Sequence, residues 1–357
     1  MIQAQRRGFI TAGTWCLDRN RMIDSWPRED SVGVAWGLEE LGGGSACNLA
    51  IDIRRLDDSV PVATVGLVGQ DDAGRKLIAE AKAAGIDVAQ MHVSRAAPTH
   101  STDAYVSQQS GQRTHITDLG VAALLAPEHF DFSQTTARFL HLGLPGIHPK
   151  MDAPSAGDPN GWVSVLKSAR ASGLKTNLEL CTLTPELLRS LILPCLSHLD
   201  TLVVNDNEIG ALAQIKTVDD GGVTDVDACV AASGAMLRLG KMELVVVHFP
   251  DGAVAVTREA SPVFAPSANV PADAIAGPNG AGDAFAAGLM YGLHEAWPLA
   301  DSLWLGHAAA ACSLRSAGTT QGVVSWRECL DIAGAWGRRS ASSKTFKKAL
   351  PEDTTRQ

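Results

Sequence analysis

A glycine-rich stretch, GPNGAGDAF at residues 277–285, precedes a predicted helix and contains one acidic residue, Asp283. Gly280, Ala281 and Gly282 have little or no side-chain bulk, so their backbone N–H groups can approach a ligand closely. Free N–H groups and the helix dipole attract an anion such as a phosphate. Because Asp283 could accept a hydroxyl proton in the same turn, the stretch is suited to phosphoryl transfer to an alcohol.

The same stretch also fits an ordinary helix start, in which Asp283 is the acidic residue that the helix dipole favours. A glycine-rich turn alone is weak evidence for phosphate binding. No lysine follows it, as one would in a G-x-x-x-x-G-K-[ST] phosphate loop. Other motifs in the chain therefore have to decide between the two interpretations.

Strand-like and helix-like segments alternate along most of the chain. LKTNLEL (174–180) and ELVVVHF (243–249) are typical of buried strands, whereas residues 280–293 and 302–318 are typical of helices. This alternation predicts an α/β fold with a doubly wound, mostly parallel sheet and helices on both faces. Ligands bind to such folds at the carboxyl ends of the strands, so we expect the chemistry in the loops that follow them.

The segment at 99–120 differs from the rest because it is polar and alternating. Gly111 lies between its two strand-like arms, which predicts an antiparallel hairpin with one exposed face.

Composition excludes several classes of protein. The 357 residues are 45% hydrophobic with a net charge of −9, which allows a sizeable core but gives no basic stripe for nucleic acid. No apolar run is long enough to cross a membrane. The seven cysteines lack C-x-x-C spacing, and this predicts buried thiols in a cytoplasmic protein. Arg6 and Arg7 resemble an export signal, but charges from Asp18 onward interrupt it and favour a first strand.

Four ordered motifs resemble those of the ribokinase-like (PfkB-type) sugar and nucleoside kinases. The family pattern D-T-x-G-A-G-D-x-F-x-x-G corresponds to residues 277–288, and G-G-x-x-x-N-x-A corresponds to residues 43–50. The pattern G-x-V-G-x-D-x-x-G matches residues 66–74, and N-x-x-E matches residues 205–208. Four matches in order are more specific than any one of them, and the resemblance extends over nearly the whole chain.

The resemblance implies roles on the side of the phosphoryl acceptor. Asp283 corresponds to the catalytic base that takes the hydroxyl proton, and Gly280, Ala281 and Gly282 correspond to the anion hole. The residues that match the sugar-binding positions are Asp18, Gly43, Gly44 and Asn48. Judged without the resemblance, Asp18 is as well explained as a turn residue and Asn48 as a helix cap.

The resemblance also implies a nucleotide side. Asn205 and Glu208 correspond to a pair that orders Mg²⁺ and the ATP phosphates, with Glu208 acting on the metal through water. Asn279 and His307 are the further candidates for nucleotide contact. Asn205 and Glu208 also fit an ordinary helix cap, and His307 also fits a packed histidine of an alanine-rich helix.

The family organisation predicts one kinase domain over residues 8–338. Segments at about 18–40 and 97–120 would form a small β-sheet lid over the sugar, and residues 339–357 would form a flexible tail. A homodimer formed through the lid is compatible with the polar hairpin.

Three departures from the family pattern affect the prediction. Gly277 and Pro278 replace the Asp-Thr pair, which leaves activation by a monovalent cation such as K⁺ open. Residues 248–252 are shorter than the usual T-x-G-x-x-G nucleotide loop. Residues 177–181 lack the arginine of the acid-sugar kinases, which argues against a 2-keto-3-deoxygluconate type of acceptor.

We therefore predict an ATP-dependent carbohydrate kinase that phosphorylates a primary hydroxyl of a small sugar or sugar-like substrate. Two alternatives remain: a nucleoside kinase, and a weak or inactive member of the fold that binds a sugar or nucleotide as a regulator. A dinucleotide oxidoreductase is disfavoured because no G-x-G-x-x-G follows the first predicted strand.

Overall fold

The computed structural model describes residues 6–110 and 113–340. Gly111 of the predicted hairpin and residues 341–357 of the predicted tail lie outside the described residues. Arg339 and Ser340 are the only residues of that predicted tail within the described ranges. Arg339 forms an ion pair of 2.7 Å with Asp251.

The described ranges contain strands β1 (Phe9–Gly13), β2 (Cys16–Ile23), β3 (Ala35–Gly43), β4 (Val62–Gly69), β5 (Asp87–Ser94), β6 (Ser101–Ser107), β7 (Arg113–Asp118), β8 (Phe139–Gly143), β9 (Lys175–Leu178), β10 (Thr201–Asn205), β11 (Leu244–Phe249), β12 (Gly252–Thr257) and β13 (Val263–Pro266). Their α-helices are α1 (Ser45–Leu56), α2 (Asp72–Ala83), α3 (Pro149–Asp152), α4 (Gly161–Ala171), α5 (Pro185–Ile192), α6 (Asp206–Ala213), α7 (Val226–Leu239), α8 (Ala281–His294), α9 (Leu299–Ser313) and α10 (Trp326–Trp336).

Nine strands form one large sheet in the order β13-β12-β11-β10-β9-β8-β1-β4-β5. The seven strands from β11 to β5 are parallel, and β12 and β13 add an antiparallel edge. The predicted α/β fold with a mostly parallel sheet is confirmed. Strands β4 and β5 lie on one side of β1 and β8 on the other, so the strand order reverses beside β1, where ligands bind in such sheets.

Each face of the large sheet has its own apolar core. Ile10 of β1 packs in the cluster that covers α3 to α7, whereas its neighbour Phe9 packs in the cluster that covers α1, α2 and α8 to α10. Adjacent residues of a strand point to opposite faces, so one strand serves both cores. This arrangement explains why the parallel strands are apolar throughout, and it confirms the prediction of helices on both faces.

Helix starts follow the local sequence. Thr184 accepts a hydrogen bond from the Leu187 N–H before Pro185 opens α5, as the Thr-Pro pair predicts. Asp71 accepts from the Gly74 N–H at 2.8 Å and also holds Thr99. Predicted ends are less accurate, because α9 ends at Ser313 although the alanine-rich pattern extends to Gly318.

Four strands form a second, small sheet in the order β3-β2-β6-β7. Strand β2 pairs antiparallel with β3 and parallel with β6, which places Asp18 between Leu41 and Thr102. The strands fall within the two predicted lid segments except at their outer ends. The small sheet is therefore the β-sheet that the sequence predicts beside the main sheet.

Within the two described ranges, no helix combines the length and apolar character needed to cross a membrane.

The carboxyl ends of β1 and β8 approach each other very closely. Gly13 has φ of 114°, and a Cβ atom built on it would lie 1.5 Å from the Gly143 carbonyl oxygen. Only glycine tolerates both this backbone conformation and this contact. The close approach fixes the strand ends at the point where the sheet order reverses.

Gly13→Ala is expected to destabilise the protein by at least about 3 kcal/mol, because the new methyl group would overlap backbone that cannot move independently. Gly37→Ala is the matched control, since Gly37 also has positive φ (66°) but has no atom within 4 Å of the added Cβ. It should cost only about 1–2 kcal/mol. Urea-unfolding midpoints of both variants measure the difference. Equal losses would contradict the steric explanation.

Candidate active site

The predicted base, Asp283, meets the predicted sugar-binding segment at residues 43–48, which we call the acceptor loop, where two helices begin. Asp283 lies in the first turn of α8, and Asn48 lies in the first turn of α1. The Asn48 Nδ2 group donates a hydrogen bond of 3.1 Å to Asp283 Oδ2, although 235 residues separate them in sequence. The contact places the two helix starts together at the carboxyl edge of the sheet.

The start of α8 requires glycine for a steric reason. Gly280 caps the helix with φ of 70°, and a Cβ atom there would lie 2.1 Å from the Thr319 carbonyl oxygen. Ala281 and Gly282 follow as the first helical residues, where backbone N–H groups lack partners inside the helix. The three residues therefore form a compact, N–H-rich surface next to Asp283.

The predicted sugar-binding residues are packed against one another. A Cβ atom on Gly43 would lie 2.0 Å from Asp18 Oδ2, so the carboxylate lies directly over that glycine. Gly44 caps α1 with φ of 92° and approaches the Thr14 backbone. The Cys16 thiol donates to Asp18 Oδ1 at 3.2 Å. Through α1, these residues are joined to Asn48 and hence to Asp283.

A cleft of about 400 Å³ opens on the other side of the α8 start. Its walls include residues from β10, β11, α8 and α9: Asn205, His248, Ala281, Gly282, Phe285 and His307. The rings of His248 and His307 lie 5.2 Å and 5.0 Å from the Phe285 ring, which gives the cleft an aromatic floor. Pro278 also lines it.

Asn205 and Glu208 form a reciprocal helix cap at the start of α6. The Glu208 N–H donates to Asn205 Oδ1 at 2.9 Å, and the Asn205 N–H donates to Glu208 Oε2 at 3.0 Å. The capping alternative is therefore part of the structure. Burial, with Asp206 and Asp283 nearby, raises the pKa of Glu208. Asn205 and Asp206 line the cleft.

His307 and Asn279 occupy different settings. His307 lines the cleft, but its Nε2 group donates to the Ala265 carbonyl at 3.0 Å. Burial lowers the pKa of His307 to about 3, so the ring is neutral. Asn279 is half-buried, and its Nδ2 group donates to the Ala317 carbonyl at 3.3 Å. His307 therefore contributes a packed wall, and Asn279 holds the loop that precedes α8.

A second carboxyl group reaches the predicted base. Glu179 follows β9 and is hydrogen-bonded to Asp283. Its Oε2 atom accepts from His141 Nε2 at 2.5 Å, and His141 Nδ1 accepts from Asn177 Nδ2 at 3.0 Å. Asn177, His141, Glu179 and Asp283 thus form one continuous hydrogen-bonded chain, which Asn48 closes at the other end.

Burial is the main cause of the shifted pKa values in this chain. It raises the pKa of Asp283 well above its usual range, and the adjacent Glu179 raises it further, while Asn48 opposes the shift. Burial raises the pKa of Glu179 to about 7. Burial lowers the pKa of His141 to about 4, so the imidazole is neutral and donates its Nε2 proton to Glu179. Both shifts favour a protonated carboxyl group in this pair, with Asp283 as the donor in their hydrogen bond.

Motif comparison alone missed Glu179 and His141. The segment at 177–181 attracts attention for a missing arginine, and His141 has no partner that spacing can suggest. Their position in the predicted sheet could have indicated them, because both residues lie at or near the carboxyl ends of inner strands, where ligands bind.

Glu179→Gln is expected to raise stability, and to do so more at pH 8 than at pH 5. A carboxyl group with a raised folded pKa contributes its full stability below its unfolded pKa. That contribution is lost as the pH rises through the folded pKa of Glu179, which is about 7. Glutamine does not titrate, so its advantage should grow to about 2 kcal/mol, or a few degrees in Tm, allowing for partial exposure.

Melting temperatures in EDTA at four pH values between 5 and 8 test this prediction. The exposed Glu186 supplies the control variant, Glu186→Gln, which should show no pH-dependent gain. A gain for Glu179→Gln that is the same at pH 5 and pH 8 would contradict the assigned pKa.

Comparison with known proteins bears on the family of the chain. The model of the pfkB family carbohydrate kinases matches residues 17–326. Adenosine kinase from Saccharomyces cerevisiae is 24% identical over 284 residues, which cover 78% of this chain and 79% of the yeast protein.

Two solved structures show the same fold. Ribokinase from Thermotoga maritima has a TM-score of 0.73 at 21% identity, covering 92% of this chain and 99% of its own. Ribokinase from Arabidopsis thaliana, complexed with ribose and ATP, has a TM-score of 0.72 at 21% identity, with coverage of 92% and 99%. Since the family match spans most of its length, the chain belongs to the pfkB family of carbohydrate kinases.

Proposed function

We propose that the protein is an ATP-dependent kinase that phosphorylates a primary hydroxyl of a small sugar or sugar-like acceptor. The observation that supports this most strongly is the position of Asp283. It lies in the N–H-rich first turn of α8 and is hydrogen-bonded to Asn48 of the acceptor loop. A base, an anion site and an acceptor surface are then within reach of one another.

In the proposed reaction, the acceptor hydroxyl gives its proton to the Asp283 carboxylate while its oxygen forms a bond to the γ-phosphorus of ATP. The bond from that phosphorus to the bridging oxygen breaks, and its electron pair leaves with ADP. The backbone N–H groups of Ala281 and Gly282 would stabilise charge on the transferred group. Because the pKa of Asp283 is raised, its carboxyl group would first release a proton to solvent and then act as the base.

ATP would occupy the cleft beside α8. The aromatic floor around Phe285 would receive the base, and the α8 start would receive the phosphates. The Arabidopsis ribokinase named above was solved with ATP, which supports a nucleotide in this family fold.

Magnesium fits the acidic edge of this cleft. Glu208 is half-buried, and desolvation, followed by the nearby carboxylates of Asp206 and Asp283, raises its pKa. A cation would stabilise these carboxylates. Among residues 6–110 and 113–340, no group of three or more His, Cys, Asp or Glu is arranged to hold a metal. In the proposed complex, Glu208 would orient a water ligand of the metal, and phosphate oxygens would supply other ligands. Bound Mg²⁺ would neutralise charge on the phosphates.

A nucleoside acceptor is the second candidate, because the yeast relative that aligns with 78% of this chain is an adenosine kinase. The acceptor residues Asp18, Gly43, Gly44 and Asn48 are polar or without side chains, which fits a polyol better than a nucleobase. A purely regulatory sugar-binding role would need these residues but no turnover. A coupled ATP-turnover assay over sugars and nucleosides separates the three functions.

Asp283→Asn should reduce turnover by about 10²–10⁴-fold, because the amide cannot accept the hydroxyl proton. Acceptor affinity should change little, since the amide oxygen can still accept from Asn48. Asp301→Asn, at an exposed carboxyl in the first turn of α9, is the matched control and should keep full activity. An Asp283→Asn variant that retains wild-type kcat would contradict the proposed role of Asp283 as the base.

We also propose that the protein forms a homodimer through the small sheet. Trp36 and Leu38 of β3 and the preceding Val34 are 41%, 53% and 60% exposed, and β3 is an edge strand. Apolar side chains on an exposed edge favour pairing with a second copy. Light scattering should give twice the chain mass for wild type and a monomer for Trp36→Glu/Leu38→Glu. A monomeric wild type at 100 µM would refute the dimer.

A further inference from the structure

Glu179 lies between the predicted base and the acceptor loop. It is hydrogen-bonded to Asp283 on one side. On the other side only Gly143 separates it from α1, since a Cβ atom on Gly143 would lie 3.3 Å from Glu179 Cβ and 2.7 Å from Ser45 Oγ. The Glu179 side chain is 20% exposed, whereas its neighbours Leu178 and Leu180 are 0% and 5% exposed. Among residues 178–180, Glu179 is thus the residue whose side chain is partly open to solvent.

The orientation of the Glu179 carboxyl group is fixed by buried residues of the neighbouring strands. His141 is completely buried and donates to Oε2, and Asn177 holds the far side of the same ring. A carboxylate can accept about four hydrogen bonds, so the His141 bond leaves acceptor positions free. A side chain held this firmly has little rotamer entropy left to lose when a ligand binds.

The spacing of the two carboxyl groups suggests what they can receive. Asp283 and Glu179 are a hydrogen bond apart. The oxygens of hydroxyl groups on neighbouring carbons in a gauche arrangement are separated by a similar distance. If the reacting hydroxyl lies on Asp283, a hydroxyl on the next carbon lies on Glu179. Its hydrogen bond to Glu179 would replace the carboxyl–carboxyl bond between Asp283 and Glu179.

We propose that Glu179 is a specificity-determining residue that accepts a hydrogen bond from the hydroxyl next to the phosphorylated one, so that the acceptor is a vicinal diol at its reacting end. The inference rests on the proposed function, because it assumes that Asp283 receives the reacting hydroxyl. It names ketoses and alditols, whose primary hydroxyl has a hydroxyl-bearing neighbour. In cyclic aldoses and nucleosides, the carbon beside the primary alcohol carries the ring oxygen instead.

The preference arises from the cost of an unpaired group. An acceptor without the neighbouring hydroxyl would still break or crowd the Asp283–Glu179 bond but would return no donor to Glu179. A buried acceptor left without its hydrogen bond costs about 1–3 kcal/mol, which corresponds to roughly 10–100-fold in affinity.

The test compares defined acceptors by calorimetric Kd and by coupled turnover with ATP and magnesium. D-fructose, D-tagatose and D-sorbitol have the vicinal pair, whereas D-ribose, D-glucose and adenosine lack it. The matched analogue of D-fructose is 2,5-anhydro-D-mannitol, which lacks only the neighbouring hydroxyl. The proteins are wild type, Glu179→Ala, Glu179→Gln and the exposed control Glu186→Gln.

Wild type and Glu186→Gln should favour an acceptor with the vicinal pair. They should also bind D-fructose at least tenfold more tightly than its anhydro analogue. In Glu179→Ala and Glu179→Gln this ratio should fall to within about threefold. An unchanged ratio in the Glu179 variants, or D-ribose, D-glucose or adenosine as the preferred acceptor, would overturn the inference.

The binding data also separate this inference from the kinase proposal. The predicted Kd pattern without any turnover would overturn the kinase and leave the role of Glu179 standing. Turnover that depends on Asp283 but not on Glu179 would support the kinase and overturn the role of Glu179. Absence of binding by every acceptor would overturn both.

Discussion

The approach of two carboxyl groups, Asp283 and Glu179, is the interaction on which the site depends. Removing two acidic side chains from water at one place is unfavourable unless protons and donors compensate. The donors come from opposite sides of the site, Asn48 on α1 and His141 on β8. The carboxyl groups themselves come from α8 and the end of β9. Four elements must therefore be in place together, and this explains the steric demands at their glycine-rich ends.

The fold was predictable from the sequence because its signals are local. Alternating strand and helix patterns, buried apolar strands and Thr-Pro or glycine boundaries each predict an element, and connection rules join the elements. The start of α8 was predicted within one residue, since Gly280 caps it. Boundaries failed where helix propensity continues past the packed part, as after Ser313.

The site was predictable only in part. Asn48 and Asp283 are brought together by tertiary structure, and the family motifs, rather than local physics, predicted that they belong to one site. Their proposed chemical roles stay predictions. Glu179 and His141 interact through strands that are adjacent in the sheet but 38 residues apart in sequence, so no spacing rule indicated them. The tertiary contacts of Gly277 and Pro278 were likewise not predictable from spacing in the sequence. The Gly277 N–H donates to the Leu314 carbonyl. The sequence showed only that the family's Asp-Thr pair is replaced at 277–278 and did not indicate this contact.

The reciprocal cap between Asn205 and Glu208 links ligand occupancy to local order. The Glu208 carboxylate that closes the first turn of α6 is the same group that is proposed to orient a water ligand of magnesium. A cation or water that binds the Glu208 carboxylate would compete with the Asn205 N–H for the same oxygen. Ligand binding and the helix cap would therefore depend on one acceptor group. The capping bond seen here would hold the start of α6 tightly, and binding of magnesium and nucleotide would weaken it. Amide exchange at Asn205 would consequently report on the nucleotide side even when no phosphate is transferred.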